Sequence, residues 1–317
     1  MTVHGCSGRV SACWLPSSAI SGIMTLMRLS QWSRYWVKRS ALLWRHHAFR
    51  RAPIRTGCRG LAWIGHCLVR RPAHIQIGFA KAHLELPPFF AQGGCATAIY
   101  IFRDEYEPEL RYVESILSSG MTAVDGGANI GLYSVIAAES VGPQGMVLSF
   151  EPSRATFEVL HRNTRQYMQV NAVNAALNDQ SGEAQLYHIN GATSEYSLAP
   201  DNGSNEAGEL VRLVTLDEIC TALSITRIDF VKLDVEGAEQ LVLRGAAKVF
   251  AEFKPIVMFE VSERPTAFSL SPQGAWLWLA NLGYSFWMIG PDGALRSQAW
   301  PPATQNTIAL PPLKTLG

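Results

Sequence analysis

The sequence predicts an α/β protein, an open sheet whose strands alternate with helices. Three observations point there. Met121-Thr122-Ala123-Val124 is a short apolar run closed by Asp125, followed by a glycine-rich turn and the helix start Ile130-Gly131-Leu132-Tyr133-Ser134-Val135-Ile136. A second buried run, Met146-Val147-Leu148-Ser149-Phe150, ends on Glu151, twenty residues past Gly131. Two further runs repeat the design of a strand ending on a carboxylate, Phe230–Leu233 before Asp234 and Pro255–Phe259 before Glu260. Short apolar runs of this length between turn residues read as buried strands.

Composition divides the chain. Hydrophobic residues make up 48% of the 317, ample for a core. Residues 1–72 hold no Asp or Glu and twelve of the 27 Lys and Arg; the remainder carries 15 basic against all 26 acidic residues. The expected organisation is therefore a basic, acid-free extension over 1–80 and a body over 81–317 with its core at 100–310. Five of the six cysteines (Cys6, Cys13, Cys58, Cys67 and Cys95) lie in or just after the extension, and Cys220 lies in the body. No Cys or His spacing suggests zinc, and the scatter fits a reducing compartment, so a cytoplasmic location is expected. No apolar run approaches the roughly 18–20 residues that span a bilayer.

The extension has three readings. It is a poorly ordered segment, or one that precedes a true start at Met24 or Met27. It is a membrane-surface arm, with Trp32, Tyr35, Trp36 and Leu43 near one helical face but cations spread widely around it. Or it is an import peptide. Nothing in it matches a nucleic-acid-binding motif, and no nucleic-acid partner is expected.

The body then runs in order. His83–Leu86 and Ala98–Phe102 read as strands. A helix starts at Glu107-Pro108, buries Leu110, Val113, Ile116 and Leu117, and stops at Gly120. Tyr106 and Glu107 stand within reach of a ligand in the glycine turn, or simply cap the helix. In that turn glycines permit close backbone approach, and the following helix N-terminus offers N–H groups. An acid about twenty residues past such a turn pairs with ribose hydroxyls in βαβ nucleotide-binding units, which assigns that role to Glu151. A helix from Ser153 carries Phe157, Leu160 and Tyr167 on one face. A third strand over 171–177 ends at Asn178-Asp179, beside an adenine edge or in an ordinary turn.

Residues 183–188 and 210–214 form two more strands, separated by a polar loop over 190–208 long enough to cover a substrate. Asn202-Gly203-Ser204 matches a glycosylation acceptor but lacks a secretory signal. Thr215 and Glu218 are spaced as a capping box for a helix over 216–223. Ligands in open α/β sheets bind outside the carboxyl ends of the strands, so Asp125, Glu151 and Asp234 are expected to converge on one crevice. Glu236 follows at its rim, Gly237 turns the chain, and Glu239 opens the next helix, where the dipole favours an acid. Lys232 reads as a satisfied structural residue. Ser271-Pro272 caps a helix bearing Trp276, Leu279 and Leu282. Tyr284–Ile289, a Pro291-Asp292-Gly293 turn and Asn306–Leu310 complete the sheet.

Taken in order, Tyr106-Glu107-Pro108, Val124-Asp125-Gly126-Gly127-Ala128-Asn129-Ile130-Gly131, Phe150-Glu151-Pro152, Thr215-Leu216-Asp217 and Lys232-Leu233-Asp234-Val235-Glu236-Gly237-Ala238-Glu239 resemble the FkbM-type family of S-adenosylmethionine-dependent methyltransferases. The resemblance runs from about Tyr100 to Leu310. It implies a Rossmann-like class I methyltransferase fold: a seven-stranded, mostly parallel sheet with a reversed final strand and helices on both faces. It implies S-adenosyl-L-methionine as cofactor and O-methylation of a hydroxyl on a sugar, glycan or natural product. By the same resemblance Asp125, Gly126, Gly127, Ala128, Asn129 and Gly131 hold the methionine part, Glu151 holds the ribose, and Asn178 or Asp179 borders the adenine. Asp234 and Glu236 line the transfer site, where one of them accepts the hydroxyl proton or orients the hydroxyl. Gly126 departs from the family, which usually has an apolar β-branched residue there. The carboxylates come without a His or an assured third ligand, so no metal is expected.

Two other functions compete. A nicotinamide-dependent oxidoreductase shares the turn and the ribose acid, but Asn129 breaks its glycine spacing. A non-catalytic, membrane-associated binding protein on a methyltransferase scaffold is opposed by the intact Asp125, Glu151 and Asp234. The expected partner is a small-molecule or glycan acceptor, with peripheral membrane contact through the basic arm.

Overall fold

A computed structural model describes residues 46–88, 95–188, 196–199, 207–290, 293–303 and 305–312. The expectations for residues 1–45, for most of the 190–208 loop with Asn202-Gly203-Ser204, and for the Pro291-Asp292 turn lie outside the described residues. The chain divides into two compact units, Met1–Pro53 and Ile54–Gly317. The described part of the first holds one short helix, α1 (His47–Arg51), capped by the His46 ring, which accepts from the Ala48 N–H at 3.2 Å.

The second unit takes in α2 (Pro53–Leu68) from Ile54 onward, followed by an antiparallel hairpin of β1 (Ala73–Ile77) and β2 (Ala82–Leu86). Trp63 and Cys67 of α2 and alternate residues of the hairpin are buried in the same apolar cluster as the body. The expected body boundary at residue 81 therefore falls inside the folded unit, which begins at Ile54. Next comes α3 (Cys95–Phe102), and this corrects the strand expected over 98–102. The run Ala98-Ile99-Tyr100-Ile101-Phe102 is apolar throughout, so it lacks the period that separates a buried helix from a buried strand. The helix α4 (Glu109–Ile116) has Pro108 at its N-cap.

The central layer follows. β3 (Thr122–Gly126), α5 (Leu132–Val141), β4 (Met146–Phe150), α6 (Arg154–Thr164) and β5 (Val170–Val173) form two consecutive βαβ steps. The third strand stops earlier than expected, because the chain breaks at Asn174. That side chain donates to the carbonyls of Glu151 and Pro152, both at 2.8 Å. β6 (Ala176–Leu177) then leaves for a second sheet with β7 (Gly182–His188), β8 (Tyr196–Ser197) and β9 (Ala207–Val214), ordered β6-β9-β7-β8. Thr215 caps α7 (Leu216–Ala222), its hydroxyl accepting from the Glu218 N–H at 3.1 Å. β10 (Phe230–Leu233), α8 (Glu239–Arg244), α9 (Ala247–Glu252), β11 (Ile256–Val261), α10 (Gly274–Asn281), β12 (Ser285–Ile289), β13 (Leu295–Gln298) and β14 (Gln305–Leu310) complete the unit.

The main sheet has eight strands in the order β13-β12-β14-β11-β10-β3-β4-β5. β14 runs antiparallel between β11 and β12, which is the expected reversed final strand. β13 adds an eighth strand at the edge, paired to β12. Side chains alternate across the sheet because the strand period is two. Ala123, Val147, Phe230 and Met258 join the cluster under α2 to α5 and the hairpin. Val124, Leu148, Val231 and Val257 join the cluster under α7 to α10. The carboxyl ends of β3, β4 and β10 thus stand side by side between two helical layers, in register through Asp125↔Lys232 and Gly126↔Phe150.

Candidate active site

The glycine turn between β3 and α5 is built by three left-handed residues, Gly127 (φ 75°), Asn129 (φ 50°) and Gly131 (φ 91°). Asn tolerates that region better than other residues with a side chain, which explains Asn between the two glycines. A Cβ at Gly127 would lie 1.9 Å from the Asp234 carbonyl oxygen, so only glycine lets β3 and the turn after β10 meet there.

The turn closes on itself. Gly127 and Ala128 N–H both donate to the Phe150 carbonyl at 3.0 and 2.8 Å, and Gly131 N–H donates to the Ala128 carbonyl. Asn129 N–H donates to Glu151 Oε2 at 3.0 Å, and Ile130 N–H to the Asn129 side-chain oxygen at 2.8 Å. The N–H groups of residues 127–131 are therefore taken by protein acceptors.

Glu151 ties the turn to β4. Its second oxygen accepts from Ser153 N–H at 2.9 Å, and its carboxyl is 5% exposed. Burial pushes its pKa up to about 7 against those two backbone donors. A cleft opens beside it, lined by Gly127, Asn129, Glu151, Ala175, Asp234 and Glu236, with apolar cover from Phe150, Leu177 and Leu198. The β8 segment bears on this wall, where Ser197 Oγ donates to the Glu236 carbonyl at 3.3 Å.

Of the expected carboxylates, Glu151 and Asp234 share the cleft wall, whereas Asp125 lies beneath it, 3% exposed. Asp125 Oδ2 accepts from Ser134 Oγ at 2.6 Å. Lys232 links the two levels, with Nζ 3.3 Å from Asp234 Oδ2, 3.7 Å from Asp125 Oδ1 and 4.8 Å from the centre of the Tyr133 ring. Burial opposes the Lys232 charge, but Asp234, Asp125 and Glu107 outweigh it and raise its pKa. Burial also raises the Asp125 carboxyl, opposed by Lys232 and Ser134. Glu107 joins this cluster through Tyr133, whose hydroxyl donates to Glu107 Oε2 at 2.5 Å. Its carboxyl is raised by burial, opposed by Tyr133 and Lys232.

The remaining assignments sort by position. Gly126, Ala128 and Gly131 are not among the residues that line the cleft. Asn178 and Asp179 are not brought to the cleft. Asn178 N–H donates to the Val214 carbonyl and its side-chain oxygen accepts from Asp179 N–H, while Ala175, Ala176 and Leu177 line the wall instead. The early break at Asn174 moves the lining residues towards the start of the segment. Asp234 is half-exposed, and Glu236 pairs with Arg264 Nε at 2.8 Å. Glu239 is buried and accepts from Val235 and Gly237 N–H, which cap the turn. Sequence reasoning left Lys232 in a structural role and did not single out Arg264 or Tyr196–Leu198. A basic residue two positions before a strand-ending acid was the available signal for Lys232. Arg264 and the β8 segment reach the site only through the fold.

Residues 125–286, just over half of the chain, match the Methyltransferase FkbM domain. The chain belongs to the FkbM methyltransferase family. Among curated relatives, "Methyltransferase sdnD" of Sordaria araneosa is 29% identical over 178 residues, covering 46% of this chain and 68% of that one. "Methyltransferase 1" of Beauveria bassiana is 27% identical over 142 residues, covering 38% and 57%. Among solved structures, an FkbM methyltransferase from Methylobacillus flagellatus KT aligns at 16% identity with a TM-score of 0.40, covering 79% of this chain and 59% of that one. The chain thus spans less than two thirds of the length of the second curated relative and of this solved structure.

The FkbM methyltransferase uses S-adenosyl-L-methionine as its methyl donor. The residues present fit that group. The cleft combines a buried carboxylate able to accept from two hydroxyls, an apolar wall, a glycine turn at Gly127 and an acid at the rim. When bound, the donor supplies an electrophilic methyl on a positively charged sulfur.

Proposed function

We propose that this FkbM methyltransferase O-methylates a hydroxyl of a sugar, glycan or natural product, with Asp234 as the group that accepts or orients the hydroxyl proton. The observation that carries this reading is a half-exposed carboxylate on the same cleft wall as Glu151, pinned from behind by Lys232. An alcohol is a weak nucleophile until its proton is withdrawn, and a carboxylate held in one orientation suits that task. Glu151 accepts from the ribose hydroxyls. Gly127 and Asn129 border the methionine part, with Asp125, Gly126, Ala128 and Gly131 acting through the backbone they hold. Ala175–Leu177 flank the adenine, ahead of Asn178 and Asp179. Glu236, paired with Arg264, shapes the rim and is the second choice for the proton. Positioning carries much of the rate, since transfer needs the oxygen in line with the sulfur–methyl bond.

The test has two arms. Calorimetric titration with S-adenosylhomocysteine and with NAD reads the cofactor, and binding of the first alone is expected. Incubation with methyl-labelled S-adenosylmethionine and a host glycan and metabolite extract reads the acceptor, with label expected in an alkali-stable ether. Asp234→Asn is expected to keep S-adenosylhomocysteine affinity within a few-fold and to lower kcat by about 100-fold or more. Near-normal turnover of both Asp234→Asn and Glu236→Gln would remove these residues from the chemistry.

A further inference from the structure

We infer that the outward face of α2 is a docking surface for a membrane rich in anionic phospholipid. The helix has two apolar faces. At 100° per residue, Thr56, Trp63 and Cys67 share one side, and they are its buried residues. Trp63 anchors that side to α3, its indole N–H donating to Thr97 Oγ1 at 3.0 Å and its ring lying 5.0 Å from Tyr100. Ile54, Cys58, Leu61 and Leu68 share the opposite side, within an arc of about 80°. Ile54 is 82% exposed, Leu61 71% and Leu68 76%. Val69 extends the stripe past the helix end, at 62% exposed. Single exposed apolar residues need no explanation, but a stripe along one helix face does.

The occupant is chosen by charge. Arg70 and Arg71 are exposed where the helix ends, and Arg55, on the flank of the stripe, is exposed and paired with Glu105 at 3.4 Å. These cations belong to a segment of 72 residues that contains twelve basic and no acidic side chains. An apolar stripe beside arginines, on a helix fixed by its other face, lies flat in the interface of an anionic bilayer with the apolar side chains among the acyl chains. A second copy of the chain would bring like charge against like charge at the same face.

The experiment uses the full chain. Co-sedimentation is measured with phosphatidylcholine vesicles and with equimolar phosphatidylcholine–phosphatidylserine vesicles. Strong binding to the second and weak binding to the first are expected. Leu61→Glu with Leu68→Glu, both exposed and outside the cleft, is expected to weaken binding to the anionic vesicles by on the order of tenfold or more while the melting temperature holds. Arg70→Gln with Arg71→Gln is expected to weaken it about fivefold per arginine removed. The proposal is overturned if the double glutamate variant still binds anionic vesicles like the parent, since the basic extension would then act alone. It is also overturned if neutral and anionic vesicles bind equally. Light scattering that shows a dimer in the parent and a monomer in the glutamate variant would assign the face to a second copy and overturn it as well.

Discussion

Lys232 holds two carboxylates that differ in depth, buried Asp125 and half-exposed Asp234. Removing one member of a buried ion cluster leaves the other uncompensated, at a cost of roughly 3–5 kcal/mol. Lys232→Met is therefore expected to lower unfolding free energy by about 3 kcal/mol in urea at pH 8. A loss below about 1 kcal/mol at pH 8 would mean that Lys232 does not hold the cluster together. Glu151 offers a sharper pH test. Its pKa is about 7 in the folded chain against an ordinary 4.5. A carboxyl raised in this way adds stability that is complete below about 4.5 and is lost as pH rises to about 7. Binding runs the other way, because the ionised carboxylate is the better acceptor for ribose hydroxyls. S-adenosylhomocysteine affinity is expected to rise about tenfold per pH unit from pH 5.5 to 7 and then level off. Glu151→Gln should bind weakly and without that slope.

Among the elements, the glycine turn carries the heaviest constraint. Gly127→Ala adds both a left-handed Cβ and a contact 1.9 Å from the Asp234 carbonyl oxygen. It is expected to cost about 3 kcal/mol or more and to abolish cofactor binding, read by thermal melting and calorimetry. Gly126→Ala is the control. There a Cβ meets only the tips of Leu177 and Leu233 at 3.1 Å and the Lys232 carbonyl at 3.3 Å, without a left-handed φ. Its cost should be on the order of 1 kcal/mol. The leucine tips also explain how the chain tolerates glycine where the family usually has a larger residue: they occupy the space beside it. The strand, turn and helix around these glycines were legible in the sequence because each depends on neighbours within a few residues. The run from Ala98 to Phe102 was not, since an unbroken apolar stretch carries no period; it folds as a helix whose Tyr100 packs beside Trp63. The third strand was legible only as far as Val173, because Asn174 binds the backbone after β4 and turns the chain out of the sheet.

At the scale of the molecule, the two apolar clusters clamp the sheet so that the ends of β3, β4 and β10 form one floor. A ligand that binds only the folded form raises stability by about 2.7 kcal/mol at a hundred times its Kd. S-adenosylhomocysteine at that excess is expected to raise the melting temperature by several degrees, and NAD at the same concentration to leave it unchanged. An equal shift by both would return the oxidoreductase reading. The body boundary also belongs to this scale. α2 and β1 lie in the extension expected over 1–80, yet their apolar residues, with those of β2, complete the cluster that covers one face of the sheet.

The sequence by itself determined the fold class, the order of its strand–turn–helix units and the chemical type of the site. Those depend on local spacing: a glycine turn, an acid twenty residues later and Asp234 at the end of the run Phe230–Leu233. Tertiary structure alone decided which carboxylates face the cleft, that Lys232 joins two of them, that Arg264 steadies Glu236, and that Ala175–Leu177 and the β8 segment wall the site in. It also decided that Ile54, Leu61 and Leu68 on the opposite face of α2 are exposed among the described residues. The reason is the same in each case. These partners are far apart along the chain, and whether a side chain meets a charge, an apolar wall or water is set by packing between elements.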